Sequence, residues 1–298
     1  MKISLLPSLV LASVLSLSAF GCAANSGDDA GATAAEQEVR TAAREVKATT
    51  EARFGWLNGV WNVRGVDNEA GIDLSIIEAG GGDPALNGNH LFLSAYGPDH
   101  GGGGVFELGL NISELTGVEM VGDTTLKLTG TYDDIIGEDG DITGGHPFEA
   151  LVKLTMNAND VQESLTVTRA GHTETVKAST EEGIQFFSSI FEVKQKETKE
   201  GTIVRLFDTG KGGDPAMNGG QLLLSIMSWP EEKTYDLGLN ILSVTKFEVP
   251  NESTALIEGS EHYMDAQGEI KTRPYSYKLD FSLKDGEPAE TIKLQRLL

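Results

Sequence analysis

GGDPALNGNHLFLS at residues 81–94 returns as GGDPAMNGGQLLLS at residues 212–225, with ten of fourteen positions identical. The likeness runs outward in both directions. TEARFGWLNGVWNV at 50–63 answers TEEGIQFFSSIFEV at 180–193, and FELGLNI at 106–112 answers YDLGLNI at 235–241. TGTY at 129–132 faces EGSE at 258–261, and DGDI at 139–142 faces QGEI at 267–270. His146-Pro147-Phe148 matches Arg273-Pro274-Tyr275, and the closing LTVTR at 165–169 matches IKLQR at 292–296. The order never changes and the offset hardly drifts, which is the signature of an internal duplication. The reading gives copy 1 residues 54–171 and copy 2 residues 184–298.

Each copy reads as short strands. In copy 1 they are expected near 59–67, 71–79, 89–96, 105–113, 116–121, 124–133, 146–157 and 162–170. Phe148, Ala150, Val152, Leu154 and Met156 alternate with Glu149, Leu151, Lys153 and Thr155. Tyr275, Tyr277, Leu279, Phe281 and Leu283 alternate in copy 2. A period of two places one face of each strand in a core. Strands without long helices between them imply an all-β, antiparallel fold. About eight strands per copy can close as a barrel or pack as a sandwich.

The N-terminus reads MKISLLPSLVLASVLSLSAFGC over residues 1–22. Lys2 precedes an apolar run that ends among small residues, the pattern of a secretory signal at 1–21. Gly21-Cys22 resembles the lipobox of bacterial lipoproteins, although Ala19 stands where that family usually has Leu. The resemblance implies lipidation of Cys22, the sole cysteine, and an anchored place in the cell envelope, at the outer membrane. Residues 22–53 then form a tether and spacer. Ala23 to Ala35 is small and polar, a flexible composition. AAEQEVRTAAREVKATTEAR, ending at Arg53, favours a short helix ahead of copy 1.

Leu57-Asn58-Gly59-Val60-Trp61 opens the first strand of copy 1, and Arg169 ends its last. This resembles the lipocalin-like (calycin) barrels, in which an Arg of the last strand packs over the Trp of a Gly-x-Trp. The resemblance implies a barrel with Arg169 over Trp61, and in copy 2 Arg296 over Phe191. Copy 2 departs from the pattern, with Ser189 for the Gly and Phe191 for the Trp.

A formal net charge of −22 argues against nucleic acid as partner, because polyanions attract Lys and Arg. It suits cations or basic partners. The GGDPA(L/M)NG loops are the best candidate binding sites, through Asp83 and Asn87 in copy 1 and Asp214 and Asn218 in copy 2. Turn chemistry also accounts for every residue of these loops. The acidic cluster Asp133, Asp134, Glu138, Asp139 and Asp141 lacks the spacing of a calcium loop. His90, His100, His146, His172 and His262 have no metal-ligand spacing. HGGGG at 100–104 reads as a flexible turn, since no G-x-S-x-G nucleophile accompanies it. No catalytic residue, metal or cofactor is assigned. The expected function is a lipid-anchored, non-catalytic binding or interaction module. Its partner would be an envelope protein or a glycan. The alternatives are a carrier of a small apolar ligand in a barrel and a carboxylate-dependent hydrolase.

Overall fold

The computed structural model describes residues 43–80, 89–98, 101–136, 141–210 and 220–298. It begins not with a helix but with a strand, β1 (Arg44–Lys47). Copy 1 follows from a 3-10 turn at Ala52–Gly59. Its first sheet is β2 (Val60–Gly65), β3 (Asp73–Gly80), β4 (Asn89–Gly97) and β5 (Gly101–Ile112), in that order. At Ser113 the chain bends into β6 (Glu114–Gly122), followed by β7 (Thr125–Ile136), β8 (Asp141–Asn157), β9 (Asp160–Arg169) and β10 (His172–Lys177). These pair in the order β10-β9-β8-β7-β6. Every ladder is antiparallel.

Copy 2 repeats the plan after a helical turn at Glu182–Ser189. Strands β11 (Ile190–Glu197), β12 (Ile203–Thr209), β13 (Gly220–Ser228) and β14 (Glu231–Ile241) form its first sheet. The second holds β15 (Ser243–Asn251), β16 (Thr254–Met264) and β17 (Ile270–Asp280). After the two-residue strands β18 (Leu283–Lys284) and β19 (Glu287–Pro288), β20 (Thr291–Arg296) joins that sheet beside β17. The all-β class and the eight strands read from copy 1 are therefore present.

None of the sheets closes into a barrel. At the corner between β2 and β6 in copy 1, Arg64 donates from Nη2 to the Leu115 carbonyl at 2.9 Å and pairs through Nε with buried Glu78 at 3.1 Å. The two sheets of copy 1 instead share a core of apolar side chains, among them Ile76, Leu93, Phe106, Leu128, Val152 and Leu165. The interior expected for a carrier's ligand is packed with side chains. Copy 2 packs likewise around Leu206, Leu224, Tyr235, Ile257, Leu279 and Ile292.

The first sheet of each copy is also buried in part on its second face. Ile77, Phe92 and Val105 of copy 1 meet Phe207, Leu223 and Ile190 of copy 2 in a third core. Phe54 and Leu57 on one helical turn, and Ile184 and Phe187 on the other, complete it. The ring of Phe187 stands edge-on to Phe92 at 5.1 Å. Trp56 lies so close to Gly183 that a Cβ there would meet its ring at 1.8 Å, so glycine is required for the approach. Both copies belong to one compact unit, Arg40–Leu298.

The expected spacer helix is corrected over its described part. Val46 is buried, and Arg44–Lys47 pair in register with Leu294–Thr291 of β20. Tertiary pairing overrides a weak intrinsic preference. Its duplicate is β10, where Val176 pairs with Leu165 of β9. Each strand sits just before one copy and completes the sheet of the other. Both then cross to a neighbouring edge, through the bridges Ala48↔Tyr235 and Phe106↔Ala178. Ala48 N donates to Glu290 O and Thr49 N to Thr234 O; Ala178 N donates to Glu163 O and Ser179 N to Val105 O.

Candidate functional site

The candidate loop residues Asp83, Asn87, Asp214 and Asn218 lie outside the described residues, as does Cys22. The described strands on either side in copy 1, β3 and β4, pair up to Gly80 and Asn89. In copy 2 the corresponding strands are β12 and β13, with Thr209 paired to Gln221. The LGLNI motif has a local cause in both copies. Gly109 and Gly238 hold φ of +64° and +53°, opposite register shifts in β4 and β13. Left-handed backbone favours glycine, so this repeat feature is a β-bulge.

The aromatic–Arg pairs expected from the barrel resemblance are corrected. Arg169 lies over Tyr132 at 4.9 Å and Phe148 at 5.3 Å, and Arg296 lies over Tyr277 at 5.6 Å. These rings sit on the same sheet as the arginine. Trp61 and Phe191 sit on β2 and β11, which pack against each other between the copies. In copy 2 the arginine also meets a carboxylate. Glu261 Oε1 accepts from Arg296 Nη2 at 2.6 Å and from Arg273 Nε at 2.7 Å.

In copy 1 an open groove of about 1020 Å³ lies between β5 and the start of β9. Gly102, Gly103 and Gly104 line one side, and Asp160, Glu163 and Lys177 the other. Gln185 and Ser188 of the helical turn before copy 2 also line it. The reading of 100–104 as a flexible turn is therefore corrected at Gly101–Gly104, which begin β5. Gly102 N donates to Asp160 Oδ1 at 2.8 Å. Charged side chains stand at the matching place in copy 2. Pro230-Glu231-Glu232-Lys233 replaces Gly101–Gly104, and Lys233 Nζ reaches across to Glu290. Glu232 is buried with Arg205 at 3.3 Å and accepts from Ser225. Glu163, the counterpart of Glu290, is exposed and forms no ion pair among the described residues.

Two buried carboxyls set a pH dependence. Burial raises the Glu78 pKa above the ordinary 4.5; Arg64 and Asn62 offset this only in part. Burial likewise raises Glu232, against hydrogen bonding by Ser225 and the charge of Arg205. Above pH 4.5 the unfolded chain has released these protons while the folded chain still holds them. The contribution of these two groups to stability then falls as pH rises through the raised values. Glu78→Gln is expected to reduce that decline, read as melting temperature against pH. An unchanged slope would remove Glu78 as a cause.

Among the described residues no group of three or more His, Cys, Asp or Glu is placed to hold a metal ion, and no helix is long and apolar enough to cross a membrane. No family model, curated protein or solved structure matches the chain.

Proposed function

We propose that the chain is a lipid-anchored, non-catalytic binding module of the bacterial envelope that captures a basic segment of a partner protein in the copy 1 groove. One observation carries this reading. Copy 2 seats its own Lys233 ammonium against Glu290, and copy 1 keeps the carboxylate, as Glu163, while replacing the lysine with Gly104. The intramolecular pair marks what the open groove accepts: a primary ammonium or guanidinium entering from outside. The net charge of −22 favours the encounter with a basic partner.

A lysine-containing peptide titrated calorimetrically into the full chain tests the reading. Gly104→Lys should supply the ammonium internally as copy 2 does, and Glu163→Gln should remove the charge. A Cβ at Gly104 would lie 2.8 Å from Ala178 Cβ, so the neighbouring chain must shift to admit the lysine. Each variant is expected to weaken the peptide about tenfold, the size of one lost charged hydrogen bond. Equal affinity for wild type and both variants would refute the site.

The anchor rests on the Gly21-Cys22 signal and the small, polar residues that follow. Cys22→Ser is expected to move the protein from the membrane fraction to the soluble fraction. Retention at the membrane would mean that another segment holds it.

A further inference from the structure

Arg169 and Arg296 are duplicates at the end of β9 and β20, yet their surroundings have diverged. In copy 2 the guanidinium of Arg296 shares the Glu261 carboxylate with Arg273. That carboxylate is largely buried, with a tenth of its side chain exposed. Copy 1 has Tyr132 in place of Glu261 and His146 in place of Arg273, but keeps the arginine. Among the described side chains Arg169 meets two aromatic faces and no carboxylate. His146 stacks on Tyr132 at 5.3 Å, extending the aromatic wall. A cleft of about 490 Å³ opens there, lined by Tyr132, Pro147, Phe148, Thr168 and Arg169, with Glu149 at its rim. Lys127 holds the Glu149 carboxylate at 2.9 Å, so that charge is already balanced.

The Arg169 guanidinium lies over two rings and faces no carboxylate among the described side chains, and its N–H edge matches a carboxylate. We propose that this cleft of copy 1 binds a small carboxylate with a flat apolar body, its carboxylate on Arg169 and its body against Tyr132 and Phe148. Copy 2 is the same site occupied by the chain's own Glu261. The site is separate from the groove, lying at the far end of β9 from Asp160 and Glu163, so either can fail without the other.

Benzoate is a suitable probe, titrated into the full chain and followed by the Arg Nε–Hε signals in NMR. Saturable shifts of the Arg169 signal are expected. Arg169→Gln should weaken benzoate about tenfold or more, by loss of the charged partner. Tyr132→Glu should do the same by a different route, because it supplies the carboxylate that copy 2 carries internally. Melting temperatures near that of wild type would establish that both variants fold. Glu261→Gln gives the converse test: it should release Arg296 and Arg273 and add a second, weaker benzoate site. Absence of saturable binding to wild type, or affinity unchanged by Arg169→Gln, would overturn the proposal.

Discussion

Phe187→Ala is expected to destabilise the whole chain by about 4 kcal/mol, the usual range for removing a buried Phe, and to do so in both copies at once. Phe187 is 1% exposed. Its ring stands edge-on to Phe92 of copy 1, at an interplanar angle of 85°. The cluster around it takes Phe54, Leu57 and Ile77 from copy 1 and Ile184, Phe207 and Leu223 from copy 2. A void there removes packing from β4 as much as from the helical turn of copy 2. Hydrogen exchange is the discriminating measurement. Protection should fall together in β3–β4 and in β12–β13, and the denaturant transition should stay single. Two separate transitions, or loss confined to copy 2, would mean that the copies are independent domains. Leu154→Ala serves as the contrast. It lies in the copy 1 core alone and should loosen β6–β9 first.

The sequence already held the signs of this shared core, though they are easily misread. Phe148 to Met156 alternates cleanly because the outer face of β8 meets solvent, and Glu149, Leu151 and Lys153 are exposed. Leu91-Phe92-Leu93-Ser94-Ala95 and Val204-Arg205-Leu206-Phe207-Asp208 are buried without a break. Continuous burial of that kind belongs to a sheet covered on both faces. Read only as strands, these segments predict two beads on a string; read for their lack of alternation, they predict a sheet packed between two partners. The strand count and the duplication were legible because turn residues and spacing are local. The corner between the two sheets was not, because Arg64 reaches Leu115, 51 positions away, and no local pattern announces such a contact. The GGDPA loops drew attention as the best-kept segment, yet identity between copies reports shared hairpin chemistry as readily as shared function. The informative positions are those where the copies differ within a common frame: Gly104 against Lys233, and Tyr132 against Glu261. Each acquires meaning only after the structure shows what the charged member touches.

Truncation to a chain starting at Thr50 carries the second large expectation. It is expected to cost about 3 kcal/mol and to loosen the β20 edge of copy 2, although every residue of copy 2 remains. The removed segment, Arg44–Ala48, lies ahead of copy 1 in sequence but pairs with β20 through Leu294, Lys293, Ile292 and Thr291. It also buries Val46 against the copy 2 core and passes a bridge to Tyr235. One buried Val contributes about 1.5–3 kcal/mol, and each ladder hydrogen bond adds on the order of 1 kcal/mol before the entropy of ordering is subtracted. The cut leaves β20 as a bare edge carrying Ile292 and Leu294, the kind of edge that recruits another strand. The truncated chain should therefore lose amide protection in β20 and self-associate. A synthetic peptide spanning Ala43–Glu51 should restore protection and reverse the self-association, as a strand added in trans. Copy 1 supplies the control within the same molecule, because β10 still completes its sheet through Val176 and Leu165. Undiminished protection of β20 after truncation would show that the N-terminal strand is ornamental. Loss that the peptide reverses would show that the duplication works by exchange, each copy finished by the strand that introduces the other.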